Sequence, residues 1–136
     1  MDAAKNLNTH QDTVSQLHLK EVPVVASKRT RACEFNQKAR EELYSRDRGC
    51  IFCRQNYMME GALPGDLTIF ETMHYIPRSR GGLGIAKNGA LGCKWHHMML
   101  DNGKKGYHEE MLNIFADYLR SNYREWNEKD LVYSKW

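Results

Sequence analysis

Two pairs of metal-binding side chains share one spacing in this sequence of 136 residues. Cys50 and Cys53 are separated by two residues, and the same spacing separates Cys93 from His96. Thiolate sulfur and imidazole nitrogen are the ligands of structural Zn2+, and Cys3His is one of its standard ligand sets. The spacing predicts one structural zinc site. The alternative is that the pairs are unrelated and that Cys50 and Cys53 form a redox pair.

The segment between the two pairs has the most distinctive order of residues. His74 is followed after two residues by Pro77, an Arg-Ser-Arg run and two glycines. Asn88 lies five residues before Cys93, and His97 directly follows the second pair. This order resembles the pattern of the HNH endonuclease family, and it is most similar to the small HNH proteins of phages and prophages of Gram-positive bacteria.

The resemblance covers residues 50–101 closely and implies a small ββα-metal core within an α+β fold. It implies divalent-metal-dependent hydrolysis of DNA phosphodiester bonds, by nicking or by double-strand cleavage. His74 would be the general base, a task that imidazole suits near neutral pH. His97 would bind the catalytic metal, and Asp101, four residues further along the same helix face, would be a second ligand. A carboxylate ligand favours Mg2+ or Mn2+.

The family pattern leaves the role of Asn88 open between holding the loop after His74 and contacting the metal.

Many HNH enzymes carry Asp, Glu or His directly before the catalytic His, whereas this chain has Met73. A thioether is a poor ligand for a hard cation. Asp101, Asn88 or Glu71 would have to take that place; otherwise the chain is a catalytically weak or inactive, zinc-stabilised DNA-binding module.

Positive charge is concentrated in one stretch, although the whole chain has a net charge of only +3. Residues 78–106 contain six basic residues and one acidic residue. Such a cluster favours a phosphate backbone as partner, so DNA is the expected partner. The predicted nucleic-acid-binding residues are Arg78, Arg80, Lys87, Lys94, Lys104 and Lys105.

The hydropathy, the N-terminal segment and the remaining cysteine of the chain restrict its expected location and partners. It contains no run of eighteen apolar residues, which argues against a membrane partner, and no export signal, which favours a cytoplasmic location in a bacterial or phage-infected cell. No pattern indicates a protein partner or an oligomeric state. Cys33 has no nearby partner and is predicted to be a free or buried thiol.

Periodicity and turn residues predict the elements that position these groups. Residues 1–30 are predicted to be a flexible or loosely packed arm, and residues 31–136 a single domain with a core over 50–101 and a helical extension over 107–136. Asn36 can cap a first helix, and residues 67–76 favour a strand because they are rich in Thr, Ile, Phe and Tyr. Helices are predicted over 94–101 and 107–123, the second with a buried stripe of Met111, Phe115 and Leu119.

Overall fold

A computed structural model describes residues 26–103 and 106–135. These residues form a mixed structure of helices and one antiparallel sheet. The elements follow in the order α1 (Lys28–Cys33), α2 (Gln37–Asp47), β1 (Phe70–His74), β2 (Gly89–Cys93), α3 (Lys94–Asn102) and α4 (Tyr107–Asn122). Short 3₁₀ turns lie between them, and a last one, Glu128–Leu131, follows α4.

The first two helices begin at side-chain caps. The Oγ atom of Ser27 accepts the N–H of Thr30 at 3.1 Å, so α1 starts at Lys28, within the predicted arm. The rest of that arm, residues 1–25, lies outside the described residues. Asn36 caps α2, as predicted, because its Oδ1 atom accepts the N–H of Ala39 at 2.8 Å. Helix α2 ends at Arg48, which has a left-handed φ of 58°.

The sheet is shorter than the sequence predicts. Residues Pro64–Leu67 form a 3₁₀ turn, and β1 covers only residues 70–74 of the strand predicted over 67–76. The two strands are antiparallel, with Phe70 opposite Cys93 and His74 opposite Gly89. Because α3 begins at the residue after β2, the chain forms a strand–strand–helix unit in which His74 lies at one end of the sheet and Cys93 at the other.

The largest core cluster lies between the sheet, α4 and the turn after α2. The predicted stripe of Met111, Phe115 and Leu119 is fully buried, which confirms the helical period. Met73 is also fully buried, and a Cβ atom added to Gly92 would lie only 2.3 Å from its sulfur. Met73 is therefore a core residue whose side chain occupies the space that Gly92 leaves open.

A buried ion pair joins α2 to the sheet. Asp47 is fully buried, and its carboxylate accepts the Nε–H of Arg46 at 2.5 Å and the N–H of Leu91 at 2.8 Å. It also accepts the hydroxyl of Tyr118 from α4. Arg46 in turn donates from Nη2 to the carbonyl of Gly89 at 2.7 Å. This network fixes β2 and α4 against α2.

Replacing Asp47 with alanine is expected to lower the free energy of unfolding by about 3–5 kcal/mol, because the Arg46 guanidinium would remain buried without its counter-charge. Urea unfolding of the metal-loaded protein measures this change. The matched control is Asp117→Ala, which removes an exposed ion pair with Arg120 and should cost less than about 0.5 kcal/mol. Equal losses in the two variants would contradict this account of the network.

Candidate metal centre and active-site cleft

The four predicted zinc ligands lie together. The ligand atoms of Cys50, Cys53, Cys93 and His96 are all within 4.8 Å of one another. The three sulfur atoms lie 3.2–3.4 Å from Nδ1 of His96, and the sulfurs of Cys53 and Cys93 are 3.6 Å apart. In the described part of the chain, no other group of three or more such side chains meets this criterion.

These distances fit a tetrahedral metal site. Zinc binds sulfur at about 2.3 Å and nitrogen at about 2.0 Å, which places tetrahedral ligand atoms about 3.5–3.8 Å apart. The Nε2–H of His96 donates to the carbonyl of Tyr57 at 2.5 Å, so the unprotonated Nδ1 faces the three sulfurs. The cluster could therefore hold a structural metal ion such as zinc.

Crowding of the thiols favours a cation among them. Burial raises the pKa of Cys53 and of Cys93, and the negative charge of the Cys50 thiolate raises both further. Three thiolates at such short range are unfavourable without a positive charge between them. A bound cation supplies that charge and stabilises the deprotonated forms.

Local turns account for each half of the cluster. The N–H of Cys53 points at the sulfur of Cys50 at 3.4 Å, at the start of a 3₁₀ turn. Cys93 ends β2 and caps α3, where its sulfur accepts the N–H of His96 at 3.4 Å. Cys33 is buried and lies outside the cluster, as predicted.

A cleft of about 540 Å³ brings several other predicted residues together. His74 enters it from the end of β1, His97 and Asp101 from α3, and Arg78 from the loop after β1. The remaining lining residues are Glu34, Phe35, Arg40, Thr72 and Pro77.

Local contacts fix the ring of His74 in one orientation. Its Nε2–H donates to the carbonyl of Cys33 at 2.7 Å, since a carbonyl oxygen can only accept. The ring packs against Phe35, with 4.3 Å between the ring centroids. Burial lowers the pKa of His74, and the charge of Arg78 lowers it further. The imidazole is therefore neutral near pH 7, with an unprotonated Nδ1.

His97 lies between two carboxylates. Its Nδ1 is 3.0 Å from Oε1 of Glu71, and its Nε2 is 3.3 Å from Oδ2 of Asp101. Of the three residues that could take the place of Met73, Glu71 and Asp101 therefore reach His97. The third, Asn88, does not line the cleft.

Asn88 is fully buried beneath the loop that follows His74. Its Oδ1 accepts the N–H of Ile76 at 2.8 Å, and its Nδ2 donates to the carbonyls of Ile76 at 3.1 Å and Leu83 at 2.8 Å. All of these partners are backbone groups. The geometry is that of a side chain that holds the loop.

Replacing Asn88 with alanine is expected to lower the free energy of unfolding by about 1–3 kcal/mol for each buried backbone group left without a partner. Urea unfolding measures this loss. Asn122→Ala is the control, because its amide bonds the carbonyl of Tyr118 at an exposed position. If Asn88→Ala were no more costly than Asn122→Ala, the side chain would not hold the loop.

The predicted nucleic-acid-binding residues do not all lie at the cleft. Arg78 and Arg80 are exposed on a 3₁₀ turn, and only Arg78 lines the cleft. Lys87 and Lys94 are exposed outside it, and Nζ of Lys87 lies 5.8 Å from the centroid of the Tyr123 ring. The last two, Lys104 and Lys105, lie outside the described residues.

Sequence reasoning missed one basic residue of the cleft. Arg40 reaches it from α2, and its Nε–H donates to the carbonyl of Phe35 at 3.1 Å. The local pattern of α2 indicates only a capped helix, because nothing in it shows which tertiary neighbour the helix faces. Its proximity to His74 depends on how α2 packs against the sheet.

Fold and site together define a small protein of mixed helix and sheet with a Cys3His cluster that could bind a metal such as zinc. Comparisons with protein-family models, with curated proteins and with solved structures found no match. Among the described residues, no helix is both long and apolar enough to cross a membrane.

Proposed function

We propose that the protein is an HNH-type endonuclease that hydrolyses DNA phosphodiester bonds with the help of a divalent metal ion. The observation that carries this proposal is that His74, His97 and Asp101 line one cleft. They do so on a strand–strand–helix unit whose helix begins at a ligand of the Cys3His cluster. Zinc is the proposed ion of that cluster because its ligands are thiolates and an imidazole.

His74 acts as the general base. Its Nδ1 is the free acceptor because Nε2 is protonated and bonded to the carbonyl of Cys33. When Nδ1 takes a proton from water, the same carbonyl stabilises the positive imidazolium. The lowered pKa keeps the ring ready to accept that proton near neutral pH. The resulting hydroxide attacks the phosphorus, the scissile P–O bond breaks, and the leaving oxygen takes a proton from solvent.

His97 and Asp101 are suited to hold the catalytic ion. Neighbouring ligands of an octahedral Mg2+ lie about 3.0 Å apart, since each is about 2.1 Å from the ion. The observed 3.3 Å between Nε2 of His97 and Oδ2 of Asp101 is close to this value. Bound there, Mg2+ or Mn2+ supplies positive charge that stabilises the phosphate and the leaving oxygen.

Glu71 compensates for the absence of a ligand at Met73 by acting on His97. Its carboxylate accepts the Nδ1–H of His97 at 3.0 Å and so leaves Nε2 unprotonated on the side of Asp101. Metal-binding histidines commonly bond their second nitrogen to a carboxylate in this way. Glu71 is therefore a positioning residue, which allows Met73 to remain in the core.

Exposed basic side chains around the cleft are suited to the DNA backbone. Arg78 and Arg40 line the cleft itself, and Arg80 lies two residues after Arg78 on the same turn. Guanidinium groups bind phosphate oxygens through two parallel hydrogen bonds.

A zinc site built from thiolates also suits a reducing compartment, in agreement with the expected location in a bacterial or phage-infected cell.

Asp101→Asn is expected to slow the conversion of supercoiled plasmid DNA in Mg2+ by at least about 100-fold, because a neutral amide is a weaker ligand for a hard cation than a carboxylate. Gel analysis of initial rates measures the effect. The control is Asp117→Asn, an exposed acidic residue on α4. Equal rates for the two variants would contradict the assignment of Asp101.

The second candidate function is a zinc-stabilised DNA-binding module without catalysis. The burial of Met73 favours it, because the chain then lacks a cleft ligand at the position where many HNH enzymes have one. In that case DNA binding would weaken with salt, and no divalent ion would produce a cleaved product. A plasmid assay and a binding assay on the same preparation distinguish the two functions.

A further inference from the structure

A second, smaller cavity lies beside the cleft. It has a volume of about 220 Å³ and is lined by Arg29, Thr30, Cys33, Arg78 and Ser79. We call it the Arg29 pocket. Arg78 lines both the pocket and the cleft, so the two spaces adjoin at this side chain.

We propose that the Arg29 pocket binds a backbone phosphate that neighbours the scissile phosphate in the same nucleic-acid strand. This inference rests on the proposed function and specifies how the substrate is held. The pocket presents two guanidinium groups and two hydroxyls, and no carboxylate is among its lining residues. Arginine with serine or threonine is a usual combination for phosphate oxygens.

The two guanidinium groups are available to an anion. Arg29 has no hydrogen bond or ion pair within the described part of the chain, and its Nη2 lies 3.6 Å from where a Cβ of Gly81 would be. Its side chain therefore extends from α1 to the loop of Arg78. The nearest carboxylate of Arg78 belongs to Glu34 at 3.9 Å, with both side chains more than half exposed. Such a pair is weak and can be replaced by phosphate.

The hydroxyls can donate as well. The Oγ–H of Ser27 donates to Oγ1 of Thr30 at 2.9 Å, which leaves the proton of Thr30 free for another acceptor. The Ser79 hydroxyl has no hydrogen bond to the other described residues, and the residue is exposed. The pocket thus combines positive charge with neutral donors, which is the chemistry of a phosphate subsite.

Cys33 connects the pocket to the proposed base. Its side chain lines the Arg29 pocket, while its carbonyl accepts the Nε2–H of His74 at 2.7 Å. Successive phosphates of one strand follow at a rise of about 3.4 Å along the axis of a duplex. Because Arg78 lines both spaces and Cys33 contacts both, a strand with one phosphate beside His74 can place a neighbouring phosphate in the Arg29 pocket.

The test compares Arg29→Gln with Arg31→Gln, which removes an equal charge from the same helix at an exposed position that does not line the pocket. Binding of a fluorescein-labelled DNA duplex is measured by anisotropy over a range of NaCl concentrations without added divalent ions. We expect Arg29→Gln to reduce the slope of log K against log salt by about 1 and to weaken binding roughly tenfold at 0.1 M salt. Arg31→Gln should match the wild type.

A second measurement locates the phosphate. Cleavage is mapped along an oligonucleotide that carries one uncharged methylphosphonate linkage. The wild type and Arg31→Gln should cut the bond on one side of that linkage more slowly than the same bond in an unmodified strand. Arg29→Gln should cut that bond at the same rate in both strands, because it no longer binds the neighbouring phosphate. Equal binding by the two variants, or no binding by the wild type, would overturn the pocket assignment. If Arg29→Gln alone bound DNA more weakly but the wild type cleaved no DNA, the pocket assignment would stand. The nuclease proposal would then be contradicted.

Discussion

Replacing Cys93 with serine is expected to release the proposed structural zinc and to unfold most of the domain. Cys93 is fully buried at the end of β2, and its sulfur lies 3.2 Å from Nδ1 of His96. Structural zinc contributes on the order of 10 kcal/mol to folding, which is comparable to the whole net stability of a domain. The sheet and α3 would lose their link to the turn of Cys50 and Cys53 that follows α2.

Zinc content by mass spectrometry and helix content by circular dichroism measure this effect. Cys33→Ser is the matched control, since that thiol is also buried but lies outside the cluster. The wild type and Cys33→Ser should each hold one equivalent of zinc, whereas Cys93→Ser should hold much less. A folded Cys93→Ser protein with a full equivalent of zinc would show that Cys93 is not a ligand.

Replacing His74 with alanine is expected to reduce DNA cleavage by about 100-fold to 10,000-fold, the usual contribution of a general base. The loss should occur without loss of zinc, because His74 lies at the opposite end of β1 from the residue paired with Cys93. Truncation also removes the packing against Phe35, so some stability will be lost.

Initial rates of plasmid cleavage at a temperature where both proteins are folded measure this effect. His108→Ala is the control, because His108 is exposed on α4 and bonds only the carbonyl of Leu100 among the described residues. A melting curve and zinc analysis on each preparation separate a catalytic effect from unfolding. Cleavage by His74→Ala at the wild-type rate would show that another group is the base.

The features that the sequence predicts well are those set by local geometry. Each half of the Cys3His cluster is formed by a single turn, so a two-residue spacing is enough to predict it. The stripe of Met111, Phe115 and Leu119 follows from the helical period alone. The cap at Asn36 needs only a side chain and the N–H of Ala39, three residues away.

The features that sequence reasoning missed depend on contacts between distant segments. Asp47 meets Leu91 and Tyr118 across 44 and 71 residues, and no local pattern indicates that it is buried. The contact of Arg40 with the cleft depends on the packing of α2. Glu71 is one of three alternatives in the sequence, and its 3.0 Å contact with His97 is visible only in the structure.

The position of Met73 also shows that a sequence motif does not determine the contacts between distant segments. The family pattern treats this position as a metal ligand, and a thioether there indicates weakened chemistry. The structure shows that the side chain fills the core beside Gly92. The carboxylate of Glu71, two residues earlier on β1, lies against His97 instead. On the proposed function, Glu71 would therefore compensate for Met73 by positioning His97.

The most direct test of the nuclease assignment is cleavage of supercoiled plasmid DNA by the zinc-loaded protein. Separate reactions contain Mg2+, Mn2+, Ni2+, Zn2+ or EDTA, and His74→Ala is assayed in parallel. We expect conversion to open-circular or linear DNA in Mg2+ or Mn2+, with no conversion in EDTA and at least about 100-fold less with His74→Ala. Absence of product with every metal, from a protein that is folded and binds DNA, would contradict the nuclease assignment.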